Sequence, residues 1–435
     1  MGWKKTYESK VISVKEAASK INSGDKVWLG ASASSPVDLI NAVCDRYLEL
    51  DNVNVYNCIA LYPYEYLKPE LKGHINSHTY FMGAVERKFK SLGNVEVASV
   101  HLSQLDKYID RVEPNVLLAE VSEPDENGYM CHGPVGVAIN PRAAEKAEKI
   151  IVQVNKHVPF IYGQQNTIHV SEVDYICEKD HAIPELPQAP VSEKDKKIAS
   201  YILPLIPDGA TIQIGLGGTA NAVGYGLETK KDLGVHTEML TDSMVYLAKK
   251  GVINCSKKNY NPGKMVISFG MGKTELYDFM DKNELIDIRP LKYVNNPVEV
   301  AKNDNFISIN SALMVDLTGQ VASESIGLKQ FSGTGGQLDF VRGAVMSEGG
   351  KSFLTLASTV KTKTGIESRI KLALPTGTVV TTPRTDVQFV VTEYGVADLY
   401  CMSIPTRVKA LINIAHPDFR EELKNQAIEA GLIKE

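Results

Sequence analysis

The sequence predicts an α/β chain folded as two similar halves, each with a mostly parallel sheet flanked by helices. Three observations predict it. Short β-branched runs such as Lys149-Ile150-Ile151-Val152-Gln153-Val154 and Phe389-Val390-Val391-Thr392 lack the alternation of a half-exposed strand, so they read as strands buried on both faces. A proline-rich stretch at 181–191, holding Pro184, Pro187 and Pro190, reads as a linker because proline supplies no backbone donor and holds its predecessor extended. Finally, the segments on either side of that linker begin alike.

In the first half a helix is expected over 14–21, then Ser23-Gly24-Asp25, a strand over 26–29 and a small-residue turn from Gly30 to Ser34. A helix over 36–48 follows. In the second half Ser192 opens a helix in capping-box fashion, with Asp195 standing where Glu or Gln is usual. That helix is expected over 195–205, followed by Pro207-Asp208-Gly209, a strand over 211–214 and the turn Gly215-Leu216-Gly217-Gly218. The next helix is expected from about 221 to about 228. Aligning Gly24 with Gly209 also aligns Gly30 with Gly215. Later, Asp125-Glu126-Asn127-Gly128 echoes Asp316-Leu317-Thr318-Gly319, both tight-turn signals. Two echoes in the same order indicate a duplicated α/β unit, with domains at 1–190 and 191–435.

The bulk properties exclude several classes. At 435 residues the chain exceeds one ordinary core. A net charge of -5, without a basic block, leaves no electrostatic footprint for nucleic acid. No apolar run approaches the roughly 18 residues of a membrane span, and the N-terminal segment has no apolar signal core. The six cysteines, at 44, 58, 131, 177, 255 and 401, form no CxxC pair and no metal-ligand spacing with the histidines. They read as buried, reduced thiols of a cytoplasmic protein, with no metal site.

The glycine turn admits two chemistries. Gly215-Leu216-Gly217-Gly218-Thr219-Ala220 follows a strand, opens a helix and satisfies G-x-G-x-x-A, and Glu238 lies 18 residues past Ala220, about where a ribose-binding acid belongs. That reading is an NAD-dependent dehydrogenase. Yet backbone N–H groups at a helix start serve any anion or developing oxyanion, a CoA diphosphate or thioester oxygen included.

Six stretches, the glycine turn among them, bear on the choice. They are Gly215-Leu-Gly-Gly-Thr-Ala-Asn-Ala-Val223, Leu233-Gly-Val-His-Thr-Glu-Met239, Phe331-Ser-Gly-Thr-Gly-Gly-Gln-Leu-Asp-Phe-Val-Arg-Gly-Ala344, Val390-Val-Thr-Glu-Tyr-Gly-Val-Ala397, Ala415-His-Pro-Asp-Phe-Arg420 and Val121-Ser-Glu-Pro-Asp-Glu-Asn-Gly128. Through them the chain resembles the acetyl-CoA hydrolase/transferase family, in its 4-hydroxybutyrate and butyryl-CoA:acetate CoA-transferase branch. The glycine-rich block at 331–344 is the most specific of the six.

The resemblance implies two CoA-transferase-type domains and exchange of CoA between acetate and 4-hydroxybutyrate or butyrate through a glutamyl-CoA thioester. Acyl-CoA hydrolysis is the alternative. It implies Glu238 as nucleophile, Asn295 or Asn296 as the side-chain member of an oxyanion site, and Gly336 as a backbone donor beside Gly335. It further implies Gly215, Leu216, Gly217, Gly218 and Thr219 against CoA, with Lys361 as a CoA-contacting lysine and Lys363 close by. CoA and acyl-CoA enter as substrates, with no permanently bound cofactor, and a homodimer or higher homo-oligomer is implied. His236, beside the nucleophile, is read as structural because a carboxylate needs no deprotonation. Glu393 and Asp339 are read as supporting or packing residues.

Overall fold

A computed structural model describes residues 2–363 and 365–434. The chain divides into two compact units. The first comprises Met1–Pro187 with two later segments, Glu238–Asp242 and Val266–Val294. The second comprises Gln188–Thr237, Ser243–Met265 and Asn295–Glu435.

The first unit holds a seven-stranded sheet formed by β1 (Lys26–Leu29), β2 (Val53–Asn57), β3 (Ile75–Thr79), β4 (Val95–Val97), β5 (Val116–Val121), β6 (Lys149–Val154) and β7 (Tyr175–Glu178). Their order is β4-β3-β2-β1-β5-β6-β7, and every neighbouring pair is parallel. β5 is buried along its whole length, as an apolar run without alternation requires. Helix α1 (Val37–Cys44) buries Leu39, Ile40 and Val43 in the core that also takes Val27, Leu29 and Leu118. Parallel neighbours need crossovers, and helices such as α1 supply them.

In the second unit, β8 (Thr211–Ile214) pairs in parallel with the start of β9 (Gly234–Leu240) on one side and with β10 (Phe306–Ser311) on the other. β11 (Lys351–Thr355) and β12 (Phe389–Thr392) extend the parallel order, and β13 (Gly395–Asp398) closes the edge antiparallel to β12. The order β9-β8-β10-β11-β12 repeats β2-β1-β5-β6-β7. A central first strand with its successor on one side and later strands on the other is the doubly wound arrangement. The α/β class with mostly parallel sheets is therefore the observed one.

The echoes read in the sequence recur atom by atom. The Gly30 N–H donates to Leu118 O at 2.7 Å, and the Gly215 N–H to Ile309 O at 2.9 Å. Gly24 and Gly209 both adopt left-handed backbone, at φ 82° and 74°, which a Cβ would disfavour. In the first turn Asp125 Oδ1 accepts the N–H groups of Asn127 and Tyr129; in the second Asp316 Oδ1 accepts those of Thr318 and Gln320.

Element boundaries differ from expectation at helix ends. Helix α2 (Glu193–Ile202) begins on Ser192 with the reciprocal Ser192–Asp195 cap, but its last turn, Leu203–Leu205, tightens to a 3-10 helix at Pro204. The helix expected from 221 starts three residues earlier as α3 (Gly218–Gly226), because Gly217 O already accepts the Asn221 N–H. The helix expected over 14–21 stops at Ala18 and α1 at Cys44, both short of expectation. All six cysteines are free thiols; five are buried as expected, whereas Cys401 is exposed. Among the described residues no helix is long and apolar enough to cross a membrane.

Candidate active site

The second unit gathers most of the residues singled out from the sequence. The turn after β8 is shaped by what surrounds it. An added Cβ at Gly218 would stand 2.7 Å from Asp195 Oδ2 and 2.7 Å from Pro190 O, so only glycine lets the linker and the α2 cap come this close. Thr219 donates its hydroxyl to Asp195 Oδ1 and is itself buried. Burial opposes the Asp195 charge, yet hydrogen bonds from the Ser192 and Thr219 side chains and the Ser192 N–H hold its carboxyl below the ordinary range. Gly218 and Thr219 thus have a structural duty that the sequence did not reveal. Leu216 stands at the open side of the turn, 50% exposed, and Gly217 caps α3.

Beneath the turn lies a polar network. Gln213 and Asn310 exchange amide hydrogen bonds at 3.1 and 3.0 Å, and Ser308 donates to Gln213 Oε1 at 2.8 Å. Asn310 Oδ1 lies 3.2 Å from where a Gly215 Cβ would stand, so the network fixes the floor of the turn. Fully satisfied buried networks of this kind rigidify what they support.

Ser311, at the end of β10, joins the two glycine segments. Its hydroxyl donates to Leu216 O at 3.4 Å, and its carbonyl accepts from Gln337 Nε2 at 3.1 Å. Gln337 is the first residue of α5 (Gln337–Met346), whose N-cap is Gly336; α4, the turn Pro297–Ala301, precedes it in the chain. Gly335 takes left-handed backbone at φ 66°. The unit therefore brings Gly215–Gly218 and Gly335–Gly336 to one place, with two helix N-termini beside them.

Asn296 N-caps α4, its side-chain oxygen accepting the Val298 N–H at 3.0 Å, while Asn295 is fully buried. α4 lies tightly on α5. A Cβ on Gly343 would meet Val300 Cγ1 at 2.3 Å and Pro297 O at 3.3 Å. Asp339, in the first turn of α5, is buried.

Lys361 ends the strand Thr359–Lys361, which pairs antiparallel with Ile366–Ser368, and its side chain is exposed. Lys363 is exposed in the connecting loop. Glu393 anchors the base of this hairpin. Its carboxylate accepts the Ser358 N–H at 2.7 Å and hydroxyl at 2.9 Å, and Lys194 Nζ lies 3.2 Å away while donating to Thr359 Oγ1 at 3.0 Å. The acid read as a supporting residue is thus a hub.

Burial raises the Glu393 pKa, but the Ser358 and Lys194 hydrogen bonds outweigh it, so the folded value lies below the ordinary one. A depressed carboxyl contributes stability in full above its unfolded pKa of about 4.3, and that contribution fades as pH falls through the lower folded value. Between about pH 6 and about pH 3.5, wild type should lose more thermal stability than Glu393→Gln, as followed by scanning fluorimetry. Equal losses would contradict this role.

Glu238 lies on β9, partly buried between buried Thr237 and Met239. β9 begins by pairing Gly234 and Val235 with Thr211 and Ile212. The Glu238–Asp242 segment clusters with the first unit. In that unit Asp242 Oδ1 accepts the Lys273 N–H at 3.1 Å, tying the end of the segment down. His236 is fully buried with its ring edge-on to Phe306, 6.2 Å between centroids. Among the described residues no group of His, Cys, Asp or Glu is placed to hold a metal ion.

Residues 1–187 match the acetyl-CoA hydrolase/transferase N-terminal domain, and residues 272–427 the C-terminal domain of the same name. The chain is 42% identical to the 4-hydroxybutyrate coenzyme A transferase of Clostridium kluyveri, covering 98% of this chain and 99% of the relative. It is 40% identical to the butyryl-CoA:acetate CoA-transferase of Anaerostipes caccae, covering 99% of each. The crystal structure of RipA from Yersinia pestis superposes with a TM-score of 0.94 at 34% identity over 100% of both chains. The dinucleotide-like glycine turn is therefore set within another lineage: the chain belongs to the acetyl-CoA hydrolase/transferase family, among its CoA-transferases.

Proposed function

We propose that the protein exchanges CoA between acetate and a short-chain acid, 4-hydroxybutyrate or butyrate, through a glutamyl-CoA thioester on Glu238. The observation that carries the reading is the convergence of the glycine turn and the Gly335–Gly336 loop through Ser311, which supplies backbone donors for CoA and for a thioester oxygen. Full-length likeness to transferases acting on these acids supports the substrate class.

The exchange is close to thermoneutral, since one thioester forms as another breaks. The Glu238 carboxylate attacks the acyl-CoA carbonyl, giving a mixed anhydride and CoA thiolate. The thiolate attacks the Glu238 carbonyl, forming glutamyl-CoA and releasing the first carboxylate. An incoming carboxylate attacks that thioester, and the steps reverse to deliver the new acyl-CoA and restore Glu238. Each tetrahedral intermediate bears an oxyanion. The Gly336 N–H and an amide of Asn295 or Asn296 face it, each donor contributing roughly 3–4 kcal/mol. The Asn296 oxygen is committed to its helix cap, so Nδ2 is the group that amide has to offer. Gly215 to Thr219 and Lys361 hold CoA, and the nucleotide end supplies binding energy that presses the thioester on Glu238. Of the domains 1–190 and 191–435, the second carries the nucleophile. The enzyme works in the cytoplasm as a homodimer or larger homo-oligomer.

Incubation with butyryl-CoA and peptide mass analysis tests the reading. A CoA adduct on the Glu238 peptide together with ping-pong kinetics is expected. Turnover that proceeds equally fast without an acceptor acid would instead establish a hydrolase.

A further inference from the structure

Glu324 is a buried acid to which neither the sequence nor the proposed chemistry gives a part, and its surroundings are unusual. The side chain is 3% exposed, and among the described residues it forms no ion pair. It takes neutral donors instead. The Thr381 hydroxyl donates to Oε1 at 3.2 Å, and the Thr334 hydroxyl and Gln330 amide donate to Oε2 at 3.2 and 3.4 Å. Its backbone carbonyl accepts two more bonds, from the N–H groups of Phe331 and Ser332 at 2.7 and 3.1 Å. One residue thereby grips the loop 331–334 at both its entry and its exit.

The exit matters most. Thr334 immediately precedes Gly335, whose left-handed backbone turns the chain into Gly336 and the start of α5. Pinning the Thr334 hydroxyl fixes the direction in which Gly336 presents its N–H. Thr381, on the other oxygen, is held in turn by the Ser323 N–H at 3.0 Å, so the anchor is itself anchored. Burying a carboxylate is costly unless hydrogen bonds satisfy it. A loop with no duty beyond packing could have been fixed by an apolar side chain.

We propose that Glu324 is a positioning residue, holding the Thr334–Gly336 turn so that the Gly336 N–H is aimed at the oxyanion. This rests on the CoA-transfer reading and on Gly336 as donor. Misdirecting a preorganised donor weakens transition-state stabilisation while leaving ground-state binding almost intact.

Glu324→Ala and Glu324→Gln are to be compared with wild type by steady-state transfer kinetics and hydrogen–deuterium exchange. For Glu324→Ala, kcat should fall about 10- to 100-fold, with KM for acyl-CoA staying within about threefold. Glu324→Gln keeps one acceptor oxygen and should recover part of the loss. Exchange should quicken in peptides covering 331–337 and not elsewhere. Unchanged kcat, or a loss shared by KM, or exchange rising across the chain, each overturns the proposal; if the alanine variant does not fold, the glutamine variant decides by the same criteria. The exchange result does not depend on turnover. A wild type inactive with every acid offered sinks the CoA-transfer reading, and an unaltered loop in the variants sinks the Glu324 anchor alone.

Discussion

Replacing Glu238 by alanine is expected to lower CoA transfer from butyryl-CoA to acetate by at least about a thousandfold. The size follows from the chemistry. The nucleophile must itself become an anhydride and then a thioester, and no other group can stand in for a missing carboxyl. Glu238→Gln keeps the shape but presents an amide that does not attack, so it should be as inactive. Glu238→Asp keeps the carboxylate but withdraws it by one methylene, and misplacement on this scale costs about a hundredfold. His236→Asn separates this chemistry from general-base catalysis. A base at His236 would make that variant nearly as damaged as Glu238→Ala, whereas a buried ring packed on Phe306 makes it a stability variant with kcat largely kept. Chromatographic assay of acyl-CoA and mass analysis of the 234–240 peptide read both effects. A tenth of the wild-type rate in Glu238→Ala would end the assignment.

The strands over 26–29, 149–154, 211–214 and 389–392 were legible because a strand buried on both faces records its burial in consecutive residues. Helix ends were less so. Gly218 begins α3, against its low helix propensity, because Asp195 and the Pro190 carbonyl leave no room for a side chain there. That reason lies in another segment of chain. The same holds for the residues that shape the candidate site. Gln213 and Asn310 are 97 positions apart, and Glu324 and Thr381 are 57 apart. Among 52 acidic residues, Glu324 has no local pattern to mark it, and Glu393, inside the 390–397 stretch, shows nothing there of its bonds to Ser358 and Lys194. Glycine-rich turns announce a ligand's approach to backbone, but the side chains that hold those turns become visible only when the strands are paired.

The α4–α5 contact yields the second large effect, and it can be reversed. Gly343→Ala should lower kcat by about 10- to 100-fold, because the new Cβ would overlap Val300 and push α4 from α5. Two terms oppose each other in stability. Alanine in a helix interior gains about 1 kcal/mol over glycine. Overpacking costs about 1–3 kcal/mol. The overlap includes Val300 Cβ at 2.5 Å as well as Cγ1, so rotating the valine cannot relieve it and the helices must separate. Separation moves the Asn296 cap relative to Gly336, and with it the two donors proposed to face one oxyanion. Val300→Gly alone leaves a cavity and lowers stability but should alter kcat little. In the double variant Gly343→Ala/Val300→Gly both overlapping valine carbons, Cβ and Cγ1, are gone. That variant should regain most of the lost rate, a strongly non-additive cycle. Additive losses would mean that the glycine serves the helix by itself and that the distance between α4 and α5 does not govern the chemistry.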